Sequence, residues 1–413
     1  MRIANLNGLW RCSKCGACTA VCPLYQETVQ EGMTARGKLA LIEAVQDGAL
    51  QPSERMRQRL EDCLLCGACA QNCPSMVPTL ELFLEARGEL ADRFGVPLPM
   101  RLFLRALGSS RAQAAGMPAM RAMQRAGLTR LVGSGAAALV PAPLRAALQA
   151  VPVLPGRSFR ARHAREFDGA GRRAPVAYFV GCMMNWAYVD AAEATYHALT
   201  RTGIRVDCPP VVCCGMPHQV TGDRAAARAL ARENVRLLDG YETIVTDCAS
   251  CGAALKGYGE LLKDDPALGG AAAALASRIR DVSQVLVVPD RVRSSREDRV
   301  RVTYHEPCHL GRGQNVRAEP RELLQSLPGV QYVEMKGADV CCGGAGSFCF
   351  THPDLSVKIG EAKVASILAT RAEVVVSGCP SCLSQLRTLL RAAGSPVRVC
   401  HPVELFTERL LGA

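Results

Sequence analysis

The 413-residue sequence predicts an α+β multidomain protein: an α-helical N-terminal module, then two homologous α/β lobes in a pseudo-twofold relation. Two observations predict it. Eight cysteines before residue 75 fall into two runs of one spacing, with a helix-patterned spacer between them. Beyond Pro175, short β-branched strands alternate with alanine-rich helical stretches, and the whole plan is read twice.

The first run is Cys12, Cys15, Cys18 and Cys22, closed by Pro23; the second is Cys63, Cys66, Cys69 and Cys73, closed by Pro74. C-x2-C-x2-C-x3-C-P is the ligand run of proteins that hold two [4Fe–4S] clusters. Three thiolates within one tight turn can cap three irons of a cube. Gly16 and Gly67 remove the side chain where the backbone wraps around inorganic sulfide. The proline swings the fourth cysteine away, so it reaches the other cluster. One cubane cluster is therefore assigned to Cys12, Cys15, Cys18 and Cys73, and the other to Cys63, Cys66, Cys69 and Cys22. A zinc site or a disulfide framework is the plainer alternative. Zinc takes four ligands per site, commonly as C-x2-C pairs, which a run of four closing on proline, given twice, does not match. Forty residues separate the runs; Leu39, Leu41, Ile42 and Val45 recur at helical spacing, with Gly37 and Gly48 as punctuation. This long helical spacer resembles the α-helical ferredoxin module of fumarate reductase and heterodisulfide reductase iron–sulfur subunits.

Composition narrows the chemistry. Hydrophobic residues make up 49 %, ample for the cores of two or three domains, and 21 residues are cysteine. The start, MRIANLNGLW, lacks the apolar stretch of a secretory signal. Cysteines in such a chain argue for metal binding rather than disulfides. No uninterrupted apolar run reaches the ~18 residues of a spanning helix. The best candidate, 131–154, is broken by Pro141, Pro143 and Arg145. Residues 95–175 hold 13 arginines, no lysine and only Glu166 and Asp168 as acids, and so carry the whole formal charge of +11. Nucleic-acid binding is not expected, because aromatics are sparse there (Phe103, Phe159, Phe167) and no reading motif accompanies them. The readings left are a solvated linker with arginine stems over apolar surface, or a docking face for an acidic partner or an anionic membrane.

The second half opens twice with a strand, at 176–180 before Cys182 and at 302–305 before Cys308. An adjacent pair with glycine follows in each copy: Cys213-Cys214-Gly215, then Cys341-Cys342-Gly343. Each copy ends on a β-branched run and C-x2-C: 243–246 before Cys248 and Cys251, and 374–376 before Cys379 and Cys382. Corresponding cysteines lie 126 to 131 residues apart, a duplication of lobes rather than a solenoid. Helical stretches at 191–202, 224–238, 357–370 and 383–393 alternate with the strands, which implies parallel sheets with ligands at the strand C-terminal edges. Each lobe thus converges five thiolates, one more than tetrahedral zinc uses. Cys208, Cys349 and Cys400 are left over, and are expected as buried small hydrophobes. His305 and His309 bracket Cys308, and His218 follows Cys214; these are either donors to cluster sulfur or ordinary core histidines.

The pattern Cys182…Cys213-Cys214-Gly215…Cys248-x2-Cys251 and its repeat resemble the paired cysteine-rich CCG domains, which in heterodisulfide reductases hold non-cubane [4Fe–4S] clusters. With the double ferredoxin in front, the chain is similar to two families: the iron–sulfur subunit of glycolate oxidase and related D-lactate dehydrogenases, and the fused heterodisulfide reductase subunit. Stretches 34–48, 341–350 and 353–369 read more like the former. Many members of that group lack some CCG cysteines, whereas both lobes here are complete. The expected division is 1–94, α-helical ferredoxin; 95–175, arginine-rich linker or docking segment; 176–295, first CCG domain; 296–413, second CCG domain.

The resemblance implies two cubane clusters, one or two non-cubane clusters, and FAD only in a partner subunit. No G-x-G-x-x-G after a strand and no Walker motif is present, so hydroxy-acid oxidation is expected in a flavin-containing partner rather than in this chain, which carries no catalytic residue of its own. The leading expectation is an electron-transfer subunit passing electrons from that flavin to a quinone or another carrier. It would reside in the cytoplasm, with peripheral contact at the inner membrane face left open. The alternatives are a catalytic subunit that reduces a disulfide at an open cluster, and a scaffold whose lobes bind zinc or nothing.

Overall fold

The computed structural model describes residues 6–127, 152–163, 176–201, 203–288 and 298–411. The spacer between the cysteine runs is largely helical, and its two longest helices are both capped by side chains. The first, Ala35–Gln46, starts where the Thr34 side chain accepts from the Gly37 N–H. It ends before Gly48, whose φ of 74° suits glycine. The second, Glu54–Glu61, starts where Ser53 accepts from the Met56 N–H. Their apolar faces meet the helix Thr79–Phe94. Leu39, Ile42, Met56, Leu60, Leu82, Phe83, Ala86 and Leu90 make one core, against which Cys12, Cys18, Cys63, Cys69 and Cys73 pack.

The second half folds as two four-stranded, wholly parallel sheets of identical order. The first comprises β1 (Val176–Tyr178), β2 (Val206–Asp207), β3 (Thr243–Thr246) and β4 (Ile279–Asp281), arranged β2-β1-β3-β4. The second comprises β5 (Val300–Tyr304), β6 (Val330–Tyr332), β7 (Val374–Val376) and β8 (Arg398–Cys400), arranged β6-β5-β7-β8. Registers correspond: Val176 pairs with Thr243, and Val302 with Val374. The helices Val189–Arg201, Arg224–Leu237, Pro353–Ala369 and Pro380–Ala392 occupy the expected stretches. The central strands β1, β3, β5 and β7 are those the sequence predicts. The remaining four are two- or three-residue edge strands.

The lobes share one core, in which Tyr178, Phe179 and Ile244 join Tyr304, Val375 and Phe406. Polar contacts cross the seam: the Ala249 N–H donates to Gly378 O at 3.0 Å, and Gln314 Nε2 donates to Ala249 O at 2.9 Å. The N-terminal module rests on both lobes. Arg87 donates to Val220 O at 2.7 Å and Arg224 pairs with Glu89 at 2.9 Å on the first lobe. On the second, Arg312 donates to Gln71 Oε1 at 2.9 Å and His352 bonds Asp62 at 2.9 Å.

Within 95–175 the described residues form the helices Leu98–Gly108, Ser110–Arg125 and Phe159–Arg162. The candidate span 131–154 lies almost wholly outside the described residues, as do Arg130, Arg145, Arg165, Arg172 and Arg173. No helix among the described residues is long and apolar enough to cross a membrane.

Candidate metal centres

The two N-terminal cysteine runs adopt the same loop. Lys14 and Gly16 have φ of 57° and 82°; Leu65 and Gly67 have φ of 52° and 74°. A left-handed leucine or lysine costs on the order of 1 kcal/mol or more and persists where surroundings demand it. Here the turn points three thiols to one side. An open hollow is lined by Cys12, Cys15, Cys18, Cys73 and Cys69 together with Arg36. Cys73 thus joins the first run. Cys22 lies in electrostatic reach of Cys63 and borders, with Cys66, an apolar cluster of Leu24, Met33, Leu64, Phe348 and Ile359. The fourth cysteine of each run therefore sits with the other run's three. Cys15 is exposed, the only one of the 21 cysteines to be so.

The ten CCG cysteines form one uninterrupted line of thiols. Cys182 touches Cys213, which touches Cys214; Cys214 meets Cys251, and Cys251 meets Cys248. Cys248 then contacts Cys379 of the other lobe. From there the line continues through Cys382, Cys342 and Cys341 to Cys308. Cys308 in turn is in electrostatic reach of Cys66 in the N-terminal module. The fold explains the convergence. Cys182, Cys248, Cys308 and Cys379 follow β1, β3, β5 and β7 at their C-terminal ends and stand at the N-termini of the helices that come next. Helix N-termini favour thiolates.

Eighteen thiols gathered this way are an unstable set by themselves. Burial pushes Cys66 up, and pushes Cys69 up to about 12. Ionising them all requires positive charge nearby. Among the described residues, Lys38, Arg87 and Lys363 are buried cations in electrostatic reach of them. Lys38 is 0 % exposed, and its Nζ donates to Gly32 O and Met33 O beside Cys63 and Cys22. Arg87 donates to Leu60 O, Glu61 O and Cys63 O. Lys363 is 3 % exposed, donates to Gly337 O and Ala338 O, and lies near Cys342, Cys341 and Cys382. Buried cations bonded only to carbonyls cost several kcal/mol unless an anion is close. Thiolate-ligated clusters are such anions, and five thiols per lobe exceed a zinc tetrahedron. The residues present fit iron–sulfur clusters.

The histidines fall into place unevenly. A ring nitrogen of His305 and the thiols of Cys342 and Cys382 lie within 4.8 Å of one another. His218 Nε2 bonds Leu104 O at 3.1 Å, leaving its buried Nδ1 beside Cys213. His309 Nδ1 instead bonds Ser250 Oγ at 2.9 Å, and that hydroxyl is 3.5 Å from Cys379 Sγ. Lys38, Arg87, Lys363 and Ser250 are the residues sequence reasoning missed. Lysine inside an apolar helical face at Lys38 was the one signal that could have found any of them. Cys208 and Cys400 are buried core residues as expected, whereas Cys349 is only half-buried, with its thiol donating to Gly346 O at 3.3 Å. Its short helix, Phe348–Thr351, lies at the surface with only Phe348 turned inward.

Comparison with known proteins places both cysteine-bearing halves of the chain in known families. A 4Fe-4S dicluster domain matches residues 8–77, and a cysteine-rich domain matches twice, at 176–256 and 302–387. The probable glycolate oxidase iron–sulfur subunit of Bacillus subtilis is 32 % identical over 97 % of this chain and 94 % of its own length. The chain belongs to the glycolate oxidase iron–sulfur subunit family. The Escherichia coli glycolate oxidase iron–sulfur subunit is 28 % identical over 97 % of this chain and 93 % of its own. Similarity extends beyond hydroxy-acid oxidation: one subunit of the dihydromethanophenazine:CoB–CoM heterodisulfide reductase of Methanosarcina barkeri is 27 % identical, covering 97 % of this chain and 93 % of its own.

Proposed function

We propose that this chain is the electron-transfer subunit of a flavin-dependent 2-hydroxy acid dehydrogenase acting on glycolate or D-lactate, with a quinone or another carrier as acceptor. The observation that carries the reading is the unbroken sequence of cysteine groups from exposed Cys15, through Cys66 and Cys308, to Cys182. In this reading Cys12, Cys15, Cys18 and Cys73 hold one cubane cluster, and Cys63, Cys66, Cys69 and Cys22 hold the other. Each CCG lobe holds a non-cubane cluster through its five cysteines. Clusters held there would supply one-electron redox chemistry, so that a partner flavin's two electrons leave one at a time. The chain's residues do the rest. The cysteines fix the order of the sites, and Lys38, Arg87 and Lys363 balance negative charge. Leu24, Met33, Leu64, Phe348 and Ile359 exclude water where the N-terminal module meets the second lobe. Cys15 gives the first site its opening to a partner. The division at 94, 175 and 295 follows the same reading.

The test is activity in the presence and absence of the partner. The anaerobically purified chain alone should not oxidise glycolate or D-lactate, and should do so when a co-isolated FAD subunit is present. Turnover by the flavin-free chain would overturn the assignment. A second reading, reduction of a disulfide, is favoured by Ser250 and His309 at the Cys248–Cys379 seam, a hydroxyl–imidazole pair able to deliver a proton to a leaving thiolate. Reduction of a heterodisulfide by the isolated, chemically reduced chain would decide for it.

A further inference from the structure

The two lobes are duplicates, so a position where they differ in charge is informative. Gly215 and Gly343, each following its cysteine pair, have φ of 81° and 83°. A Cβ on Gly215 would meet Ala227 O at 3.5 Å; one on Gly343 would meet Ser356 O at 2.4 Å. Ala227 and Ser356 are therefore corresponding positions on the helices Arg224–Leu237 and Pro353–Ala369. Two turns further on, the first helix carries Asn234 and the second carries Lys363, both inward-facing.

Asn234 is neutral and fully satisfied. Its Nδ2 donates to Cys213 O and Tyr258 Oη, each at 3.0 Å, and its Oδ1 accepts from the Val212 N–H at 3.0 Å. Lys363 brings an ammonium to the matching helix position. Its hydrogen bonds go to Gly337 O and Ala338 O, and the acidic side chains in its electrostatic reach are those of Cys342, Cys341, Asp339 and Cys382. Asp339 is already paired with Arg312 at 2.7 Å. The charge of Lys363 thus falls on the cysteine pair and on Cys382.

We propose that Lys363 holds the second-lobe centre at a higher reduction potential than the first-lobe centre, with Asn234 as its neutral counterpart. The inference rests on the reading that both lobes bind iron–sulfur clusters. Reduction adds negative charge, and a fixed cation in a low-dielectric site stabilises the reduced form more than the oxidised one. The favoured lobe is the one adjoining the N-terminal module through Cys308 and Cys66. An electron entering from that module is retained in the second lobe, and the first lobe fills only under stronger reduction.

The test is an EPR-monitored redox titration of the full chain, reconstituted anaerobically. The second-lobe signal is identified as the one lost in Cys382→Ser. Lys363→Met should lower its midpoint so that the reduction equilibrium changes tenfold or more, ~59 mV for one electron, and leave the first-lobe signal in place. Lys363→Gln, which copies the first lobe's amide, serves if the Met variant does not fold. Lys363→Arg should restore most of the potential, which a merely structural role would not predict. An unchanged second-lobe midpoint in both neutral variants, or an equal movement of both signals, overturns the proposal. Wild-type protein with iron for only two cubane clusters overturns the cluster reading, and the proposal with it. That failure is recognised by the iron count before any potential is measured.

Discussion

Cys22 stands apart from its own run. It packs beside Leu24 and Met33 and faces Cys63, while Cys73 lines the cavity of Cys12, Cys15 and Cys18. Cys22→Ser should therefore remove the site built on Cys63, Cys66 and Cys69 and spare the other. Iron should fall by about four per chain, read by iron analysis, with the surviving signal lost on Cys73→Ser. Loss of the Cys12 site instead would show that the ligands are not crossed. Arg87 makes a different demand on a single residue. Its guanidinium holds Leu60 O, Glu61 O, Cys63 O and Val220 O, tying the second cysteine run to the first lobe. Arg87→Met takes the guanidinium donor from Glu61 O, Cys63 O and Val220 O and leaves Leu60 O with the Cys63 N–H alone, at a cost of about 3 kcal/mol. A denaturant midpoint unchanged from wild type would contradict that. At this scale the cysteines were legible because iron–sulfur ligation fixes their spacing in sequence. Lys38, Arg87 and Lys363 were not, because a buried cation is read from what surrounds it, and much of that surrounding comes from distant parts of the chain.

The four central strands were legible as β-branched runs ending just before a cysteine. The outer ones were not. Val206–Asp207 and Arg398–Cys400 are too short, and too mixed in polarity, for a period of two to register. Ile279–Asp281 is similar, and it closes on a device only the structure reveals. Asp281 is the N-cap of the turn Val282–Gln284: its Oδ1 accepts from the Ser283 N–H and hydroxyl, and Gln284 Oε1 accepts from the Asp281 N–H. Burial pushes the Asp281 carboxyl up to about 6, against the hydrogen bonds from Ser283. The folded state thus holds this proton more tightly than the unfolded chain. The sign follows: the contribution is fully present below about pH 4, the ordinary carboxyl range, and is lost as pH rises through about 6. Asp281→Asn keeps the accepting oxygen and removes the ionisation. The variant should gain on the wild type between pH 4 and 6 by at most about 3 kcal/mol, at ~1.36 kcal/mol per pH unit, and hold that gain above. Denaturant titrations at pH 4, 5, 6 and 7.5 give the profile. A constant difference across the range would mean that the carboxyl titrates normally.

As a whole, the molecule brings three cysteine-bearing parts to one place, and duplication with two doubled cysteine patterns made that much readable from the chain. How the parts abut was not readable, because Cys248–Cys379 and Cys66–Cys308 join residues more than 130 positions apart. The described arginines of 95–175 fall into two groups. Arg160 donates to Cys208 O and Pro209 O, Arg121 to Gly156 O and Arg157 to Ala161 O, so these serve the fold. Arg101, Arg105, Arg111 and Arg125 are exposed, on two helices that also expose Leu98, Leu102, Phe103 and Met123 and contain no acid. Basic and apolar groups together suit an acidic partner subunit or an anionic membrane, where each arginine contributes about 1 kcal/mol. The partner is favoured, because the apolar face spans little more than the 11-residue helix Leu98–Gly108. Changing Arg101, Arg105, Arg111 and Arg125 together to Gln should abolish co-isolation with the FAD subunit at low salt and leave the cluster content unchanged. Leu102→Ser with Phe103→Ser should weaken the same association without altering its salt dependence, since no charge is removed. Pelleting with phosphatidylserine vesicles, run in parallel, assigns the face to a membrane if that binding alone is lost. If both associations survive the fourfold change, the exposed arginines only keep the chain in solution.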